Sequence, residues 1–260
     1  MYVELDVTNS SGATTQLVYS TMKHANTVLS GSYRAGIIQA TAHDDNRDGL
    51  TDRFDISVRM PISKERGERV VRAVGVAIFE YNLQERAQLR IQGMAMAEHS
   101  SAVGASELMT DGHLRFVQEK AVAVRGGLTT PYTDDVLLEV NATSSVGEAM
   151  LSHIVPRYVR RNFTTKYDYY PVWSAAPSDG AESFTLNMTV RVPETQVTYT
   201  PTVSETLKFA WIQYVALLLL LWRPTKGLLD FVFKHRVVDS VAVYEGPWKQ
   251  GEAGAKLKGF

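Results

Sequence analysis

The chain contains no cysteine. A disulfide framework, a thiolate nucleophile and a cysteine-based zinc site are therefore all excluded, and packing alone must hold the fold together. Net charge is equally scarce: the formal value over 260 residues is −1. Bulk electrostatic capture of a polyanion is thus not expected, and nucleic acid is not an expected partner. Catalytic patterns are missing too. His24, His43, His99, His113, His153 and His235 form no HxxxH or HxH pair. There is no GxSxG elbow, and Gly126-Gly127 is not followed by the Gly-Lys-Ser/Thr of a phosphate cradle. Arg157-Tyr158-Val159-Arg160-Arg161 reads as the solvated basic end of a helix. Neither an enzyme nor a small-molecule substrate is expected. A secretory leader is not visible either: Met1 to Val7 is acidic and strand-like, with no basic n-region and no apolar h-region. Transfer of a domain across a membrane would then fall to a later helix or to an earlier anchor, with Met1 an internal methionine of a longer product.

What is present begins with one apolar run, Leu207 to Trp222, which has no carboxylate and a single basic residue, Lys208. Sixteen helical residues rise about 24 Å against a hydrocarbon core of about 30 Å, so the expected membrane helix extends over 204–233, with a possible kink at Pro224. Lys208, Trp211, Gln213, Tyr214 and Trp222 would be its anchor residues, the lysine snorkelling and the aromatics lying at the interfaces. Arg223, Lys226, Lys234, Arg236, Lys249, Lys256 and Lys258 follow the run, whereas Pro193 to Leu207 holds no Lys or Arg. The positive-inside rule accordingly predicts a cytosolic tail over 234–260 and an extracytoplasmic domain over 1–203. Four N-glycosylation sequons, at Asn9, Asn141, Asn162 and Asn187, all precede the run.

Within 1–203 the pattern is mainly β. Gln16–Ser20, Tyr33–Thr41, Phe54–Met60, Val70–Tyr81, Gln88–Ala97, His113–Val124, Val136–Val140, Phe184–Val192 and Gln196–Tyr199 read as strands. Only Gly147–Arg161 has helical spacing, through Met150, Leu151, Ile154, Val155, Tyr158 and Val159, with an interruption near Pro156. Many short strands punctuated by Gly and Pro predict an antiparallel β-sandwich of two sheets with this one short helical segment.

One stretch carries explicit chemistry. From Asp44 to Asp55 oxygen-bearing residues stand at positions 1, 3, 5, 9 and 12 of a loop with Gly49 at position 6. A hard divalent cation needs six or seven converging oxygens, which alternate residues of a tight turn supply. The expected ligands of one structural calcium ion are Asp44, Asn46, Asp48, the Leu50 carbonyl, Asp52 and Asp55. Aspartate replaces the usual bidentate glutamate at position 12 and a strand follows, so a loop on a hairpin is expected rather than an EF-hand. An acidic turn without metal has the same composition.

Asp45-Asn46-Arg47-Asp48-Gly49-Leu50-Thr51-Asp52, Leu151-Ser152-His153-Ile154 with Arg161-Asn162-Phe163-Thr164-Thr165, and above all Lys208-Phe209-Ala210-Trp211-Ile212-Gln213-Tyr214-Val215 resemble the transmembrane protein 231 family. The resemblance extends from about Gln16 to Val243 and is weakest between Met60 and Leu138. It implies a non-enzymatic membrane component of the ciliary transition zone. Such a component works in the tectonic-like complex with tectonics, B9-domain proteins and meckelin-like membrane proteins, and supports ciliogenesis through a diffusion barrier at the ciliary base. The family carries two membrane helices; here only the second is visible. The competing readings are a calcium-stiffened adhesion or receptor ectodomain and, below it, a surface hydrolase.

Overall fold

The computed structural model describes residues 1–84, 87–124, 127–137, 146–177, 181–235 and 237. Its strands are β1 (Tyr2–Thr8), β2 (Thr14–Ser20), β3 (Ile37–His43), β4 (Arg53–Pro61), β5 (Arg69–Gln84), β6 (Gln88–Gln118), β7 (Val122–Ala123), β8 (Phe163–Ala175), β9 (Ser183–Arg191) and β10 (Tyr199–Thr200). Helices α1 (Lys23–Val28), α2 (Leu151–Val159) and α3 (Val203–Lys234) and a 3-10 turn, Val146–Ala149, complete the list. Two compact units result, Met1–Pro201 and Thr202–Phe260.

The first unit is not the expected pair of sheets. Eight strands form one sheet in the order β2-β1-β5-β6-β9-β4-β3, with β8 also on β6, and β6 and β9 run parallel. The cause is β6. Gln88–Ala97 and His113–Val124, expected as separate strands, belong largely to a single strand of 31 residues. Drawn straight it would extend about 100 Å, far beyond the diameter of a domain this size, so it has to curl. Its first part pairs with β5, its last part with β8, and Glu107–His113 with β9. The register shifts between Ala105 and Glu107, where β8 takes over from β5.

Curling brings the sheet against itself. Leu5 and Val7 of β1, Ala73 and Ala77 of β5 and Ala95 and Ala97 of β6 share a buried cluster with Val58 and Met60 of β4 and Leu186 and Met188 of β9. Small residues stand on one side and large ones on the other, and a Cβ on Gly75 would lie 2.4 Å from Leu186 Cδ2. The outer face of the same strands is covered by helices: Tyr2, Val74, Val76 and Met94 pack with Ala25, Leu29, Leu151, Ile154 and Tyr158. That double burial explains why Ala73–Ala77 is apolar without alternation.

Several local expectations are corrected. The expected interruption near Pro156 lies instead at Met150, between the 3-10 turn and α2, while Pro156 is inside α2, where it withholds the donor for the carbonyl of Ser152, an exposed residue. Val136 and Leu137 are not in a strand, and the rest of the expected strand to Val140 lies outside the described residues, as does Asn141. Two elements were not expected, α1 and β8; Pro171 and the exposed Lys166, Asp168 and Tyr170 disguise the latter. Polar clasps hold the loops. Arg34 donates to both oxygens of buried Glu68, at 2.5 and 3.1 Å, and the Ser63 amide donates at 2.7 Å.

The second unit is dominated by α3, which has no buried residue. A helix does occupy the expected 204–233, and it continues through Pro224, where the Thr225 hydroxyl donates to the Leu221 and Trp222 carbonyls. The expected membrane crossing is not borne out: among the described residues no helix is long and apolar enough to cross a membrane. Lys208, Gln213, Arg223, Lys226 and Asp230 interrupt α3, so Tyr214–Trp222 is its longest stretch without a charged or amide side chain. Nine residues rise about 14 Å, half of the hydrocarbon core or less. Of the charges that follow the run, Arg223, Lys226 and Lys234 lie within α3 itself. Of the expected tail, only Lys234, His235 and Val237 fall among the described residues.

Two outcomes follow from the packing. A Cβ at Gly112 would stand 2.2 Å from the Asp168 carbonyl oxygen and 2.6 Å from Tyr169 Cα, so Gly112→Ala has to part β6 from β8. Thermal unfolding should register a loss of about 2 kcal/mol or more, some 4–8 °C in Tm, with Gly31→Ala, which meets nothing within 4 Å, as the neutral control. Acid should also weaken the domain. The Arg34 hydrogen bond holds the Glu68 carboxyl below the usual range, outweighing the opposing effect of burial. A depressed carboxylate contributes stability above its unfolded pKa and loses it as pH falls through the lower, folded value. Glu68→Gln should therefore flatten the decline in Tm below about pH 4.5 relative to the parent chain.

Candidate functional site

Aspartate, asparagine and glycine favour tight turns because their side chains hydrogen-bond nearby amides and tolerate left-handed backbone. The loop between β3 and β4 uses both properties, with Arg47 at φ 61° and Gly49 at φ 85°. Asp44 accepts from the Asp48 amide at 3.2 Å and the Gly49 amide at 2.9 Å. Asn46 Oδ1 accepts from the Asp48 amide, and its Nδ2 donates to Asp48 Oδ2 at 3.0 Å. Asp48 accepts from the Leu50 amide at 2.7 Å; Asp52 accepts from those of Asp45 and Asn46, at 2.8 and 3.2 Å. The structure thus gathers Asp44, Asn46, Asp48, Leu50 and Asp52 in one exposed hairpin loop.

Asp55 is elsewhere. It lies in β4, where it meets His43 Nε2 at 3.1 Å and Arg53 Nε at 3.2 Å and accepts from the Thr189 hydroxyl at 3.0 Å. Among the described residues no group of three or more His, Asp or Glu side chains stands close enough to hold a metal ion. The loop therefore fits a cation in part: its oxygens share one turn but face the turn's own amides, and the twelfth position is engaged by Arg53, His43 and Thr189 of the sheet.

The sequons differ in setting. Asn9 forms the β1–β2 turn, where its Oδ1 accepts from the Ser11 amide at 3.0 Å, the Ser11 hydroxyl at 2.6 Å and the Ala13 amide at 3.0 Å. Asn162 lies between α2 and β8, its carbonyl accepting from the Glu119 amide. Asn187 is inside the sheet, between Ser57 of β4 and Met109 of β6, and its Nδ2 donates to Glu107 at 2.7 Å. A glycan there would have to displace that bond.

On α3 the anchor residues Lys208, Trp211, Gln213, Tyr214 and Trp222 are all exposed or half-exposed. Trp211 and Tyr214 contact at 6.4 Å, and Lys226 Nζ sits 5.9 Å over the Trp222 ring. An apolar surface of this length on a helix with nothing buried has the character of a lipid-facing element.

Two charge clusters escaped the sequence reading. Arg72 of β5 joins Glu4 at 3.0 Å, Asp6 at 3.2 Å and Glu98 at 2.8 Å, across three strands. The alternating Glu4 and Asp6 of β1 were its one local sign. Buried Arg161 donates to the Asp135 carbonyl and carboxylate and lies 4.6 Å over the Tyr132 ring, while Arg157 takes the other Asp135 oxygen. Beside it the Tyr158 hydroxyl meets the Thr165 backbone and hydroxyl and accepts from the Met94 amide, and burial pushes its pKa up. Burial likewise pushes Tyr167 up to about 12. These groups clamp neighbouring segments of the chain.

A model of the Transmembrane protein 231 family matches residues 2–242. Transmembrane protein 231 of Homo sapiens is 32% identical over 233 residues, which is 89% of this chain and 72% of that protein. The Bos taurus protein of the same name is 32% identical over 238 residues, 91% of this chain and 72% of its own. That of Xenopus tropicalis is 28% identical over 243 residues, 93% and 76% respectively. No solved structure matches the chain. With the family match running from β1 past the end of α3, this chain belongs to the Transmembrane protein 231 family, a family of membrane proteins.

Proposed function

We propose that the chain is a non-enzymatic membrane component of the ciliary transition zone. In this reading it works within the tectonic-like complex, beside tectonics, B9-domain proteins and meckelin-like membrane proteins, and contributes to the diffusion barrier at the ciliary base. The observation that carries it is the family match over residues 2–242, which takes in the curled sheet and the exposed apolar helix together. The helix α3 supplies the membrane contact, with Leu217–Trp222 among the acyl chains and Arg223 and Lys226 toward the headgroups. The sheet supplies the surface for assembly. One structural calcium ion belongs to the same reading, held by Asp44, Asn46, Asp48, Asp52 and the Leu50 carbonyl; it would neutralise carboxylates that repel one another and stiffen the β3–β4 turn.

Imaging a tagged copy in ciliated cells should show a ring at the ciliary base. Uniform spread over the plasma membrane would favour an adhesion ectodomain instead. Replacing Leu218 and Leu220 by Asp should move the chain from the membrane fraction to the soluble one, because a carboxylate is costly to take out of water into hydrocarbon. For the ion, Tm should rise on adding calcium in place of chelator, since a ligand at a hundredfold excess over Kd stabilises the native state by about 2.7 kcal/mol. Asp48→Ala should abolish that rise. An unchanged Tm for the parent chain would leave the loop as an acidic turn.

A further inference from the structure

Three edges of the sheet have no strand beyond them among the described residues, those of β2, β8 and β3. An open edge presents unpaired N–H and C=O groups to any passing strand, so proteins cover or blunt it. The first two edges are managed. On β2 the segment after α1 is laid along the strand: the Val18 amide donates to Ser32 and the Arg34 amide to the Val18 carbonyl. On β8 Pro171 withholds a donor, and Lys166 and Asp168 add charge. The β3 edge has neither device. Ile37 to Ala42 contains no proline and no charge, every residue of β3 is exposed or half-exposed, and Ile37 is 74% exposed.

Beside that edge lies an apolar cavity of about 330 Å³, lined by Ile38 and Ala40 of β3, Phe54 and Ile56 of β4, and Ala77 and Phe79 of β5. It opens where the curled sheet approaches itself and its layers are not fully packed. Ile38, Phe54, Ile56 and Phe79 are in consequence only half-buried, although they pack against the core cluster. A strand laid along β3 would satisfy the edge and, through every second side chain, fill the cavity.

We propose that β3 is a strand-addition site that captures an extended, uncharged segment of another protein, one with bulky apolar side chains at alternate positions. A second copy of the chain is the weaker occupant. Its own β3 would offer Ile38, Ala40 and Ala42 on the face that meets the cavity, and two alanines leave it largely empty. A lipid chain could fill the cavity but would leave the backbone edge unpaired. The proposal stands independently of the ciliary reading.

Hydrogen exchange on the full chain in detergent micelles tests it. The probe is a capped synthetic peptide of about eight residues alternating isoleucine or phenylalanine with threonine. At saturation the amides of 37–43 that face away from β4 should exchange at least about tenfold more slowly, with those of 163–175 in β8 unchanged. Ala40→Lys puts a charge at the cavity from an exposed position; it should keep the parent Tm and lose the protection. The proposal is overturned if the peptide protects nothing in β3 or protects β8 equally. It is also overturned if protection appears without peptide as the chain's own concentration rises, which would identify a second copy as the occupant.

Discussion

Everything in the first unit depends on the continuous hydrogen bonding of β6. With no covalent cross-link available, that strand is the shared partner of β5, β8 and β9, and through them of β1 and β4. Its curvature decides the rest. One side of the bend is held by β5 and the other by β8 and β9, so the two halves of the sheet are obliged to face each other and to exclude water between them. Small side chains on β5 and β6 let the halves approach, and Leu186 and Met188 fill the gap.

The charged groups follow the same logic. Arg72 ties β1, β5 and β6, Arg191 meets Asp111 between β9 and β6, and Asp55 is held by His43 and Arg53 beside β9. Each sits where strands meet rather than at the floor of a cleft. The helix α3 has a different solvent in view, since a helix without buried residues gains little from water around leucine and tryptophan.

Much of this was legible in the residues. Alternation located β4, β9 and both ends of β6, and the acidic spacing located the β3–β4 hairpin. What failed was the joining. Nothing local in Ser100–Asp111 distinguishes a strand that bends from a loop between two strands, because the bend is set by partners far away in sequence. Strand β8 was hidden by Pro171, which an edge tolerates and a central strand does not. The loop ligands were read from spacing alone, which cannot see that the sheet gives Asp55 other partners, Arg53 and His43. The helix itself was found; its capacity to cross a membrane was overread, because interrupting polar residues count against an apolar run wherever they fall.

The position of β9 between β6 and β4 has a consequence in time. Strand β4 ends at Pro61, and its sheet neighbour begins only at Ser183. A ribosome adding about 5–20 residues per second needs roughly 6–24 s to make the intervening chain. Throughout that interval the β3–β4 hairpin, with Phe54, Ile56 and Val58 on one face, lacks the strand that joins it to the rest of the sheet, although β1, β5 and β6, against which that face packs, are already made before β9. Synthesis of this protein therefore includes a long vulnerable period, in which non-local pairing cannot yet rescue an aggregation-prone ribbon and a holding chaperone has something definite to protect.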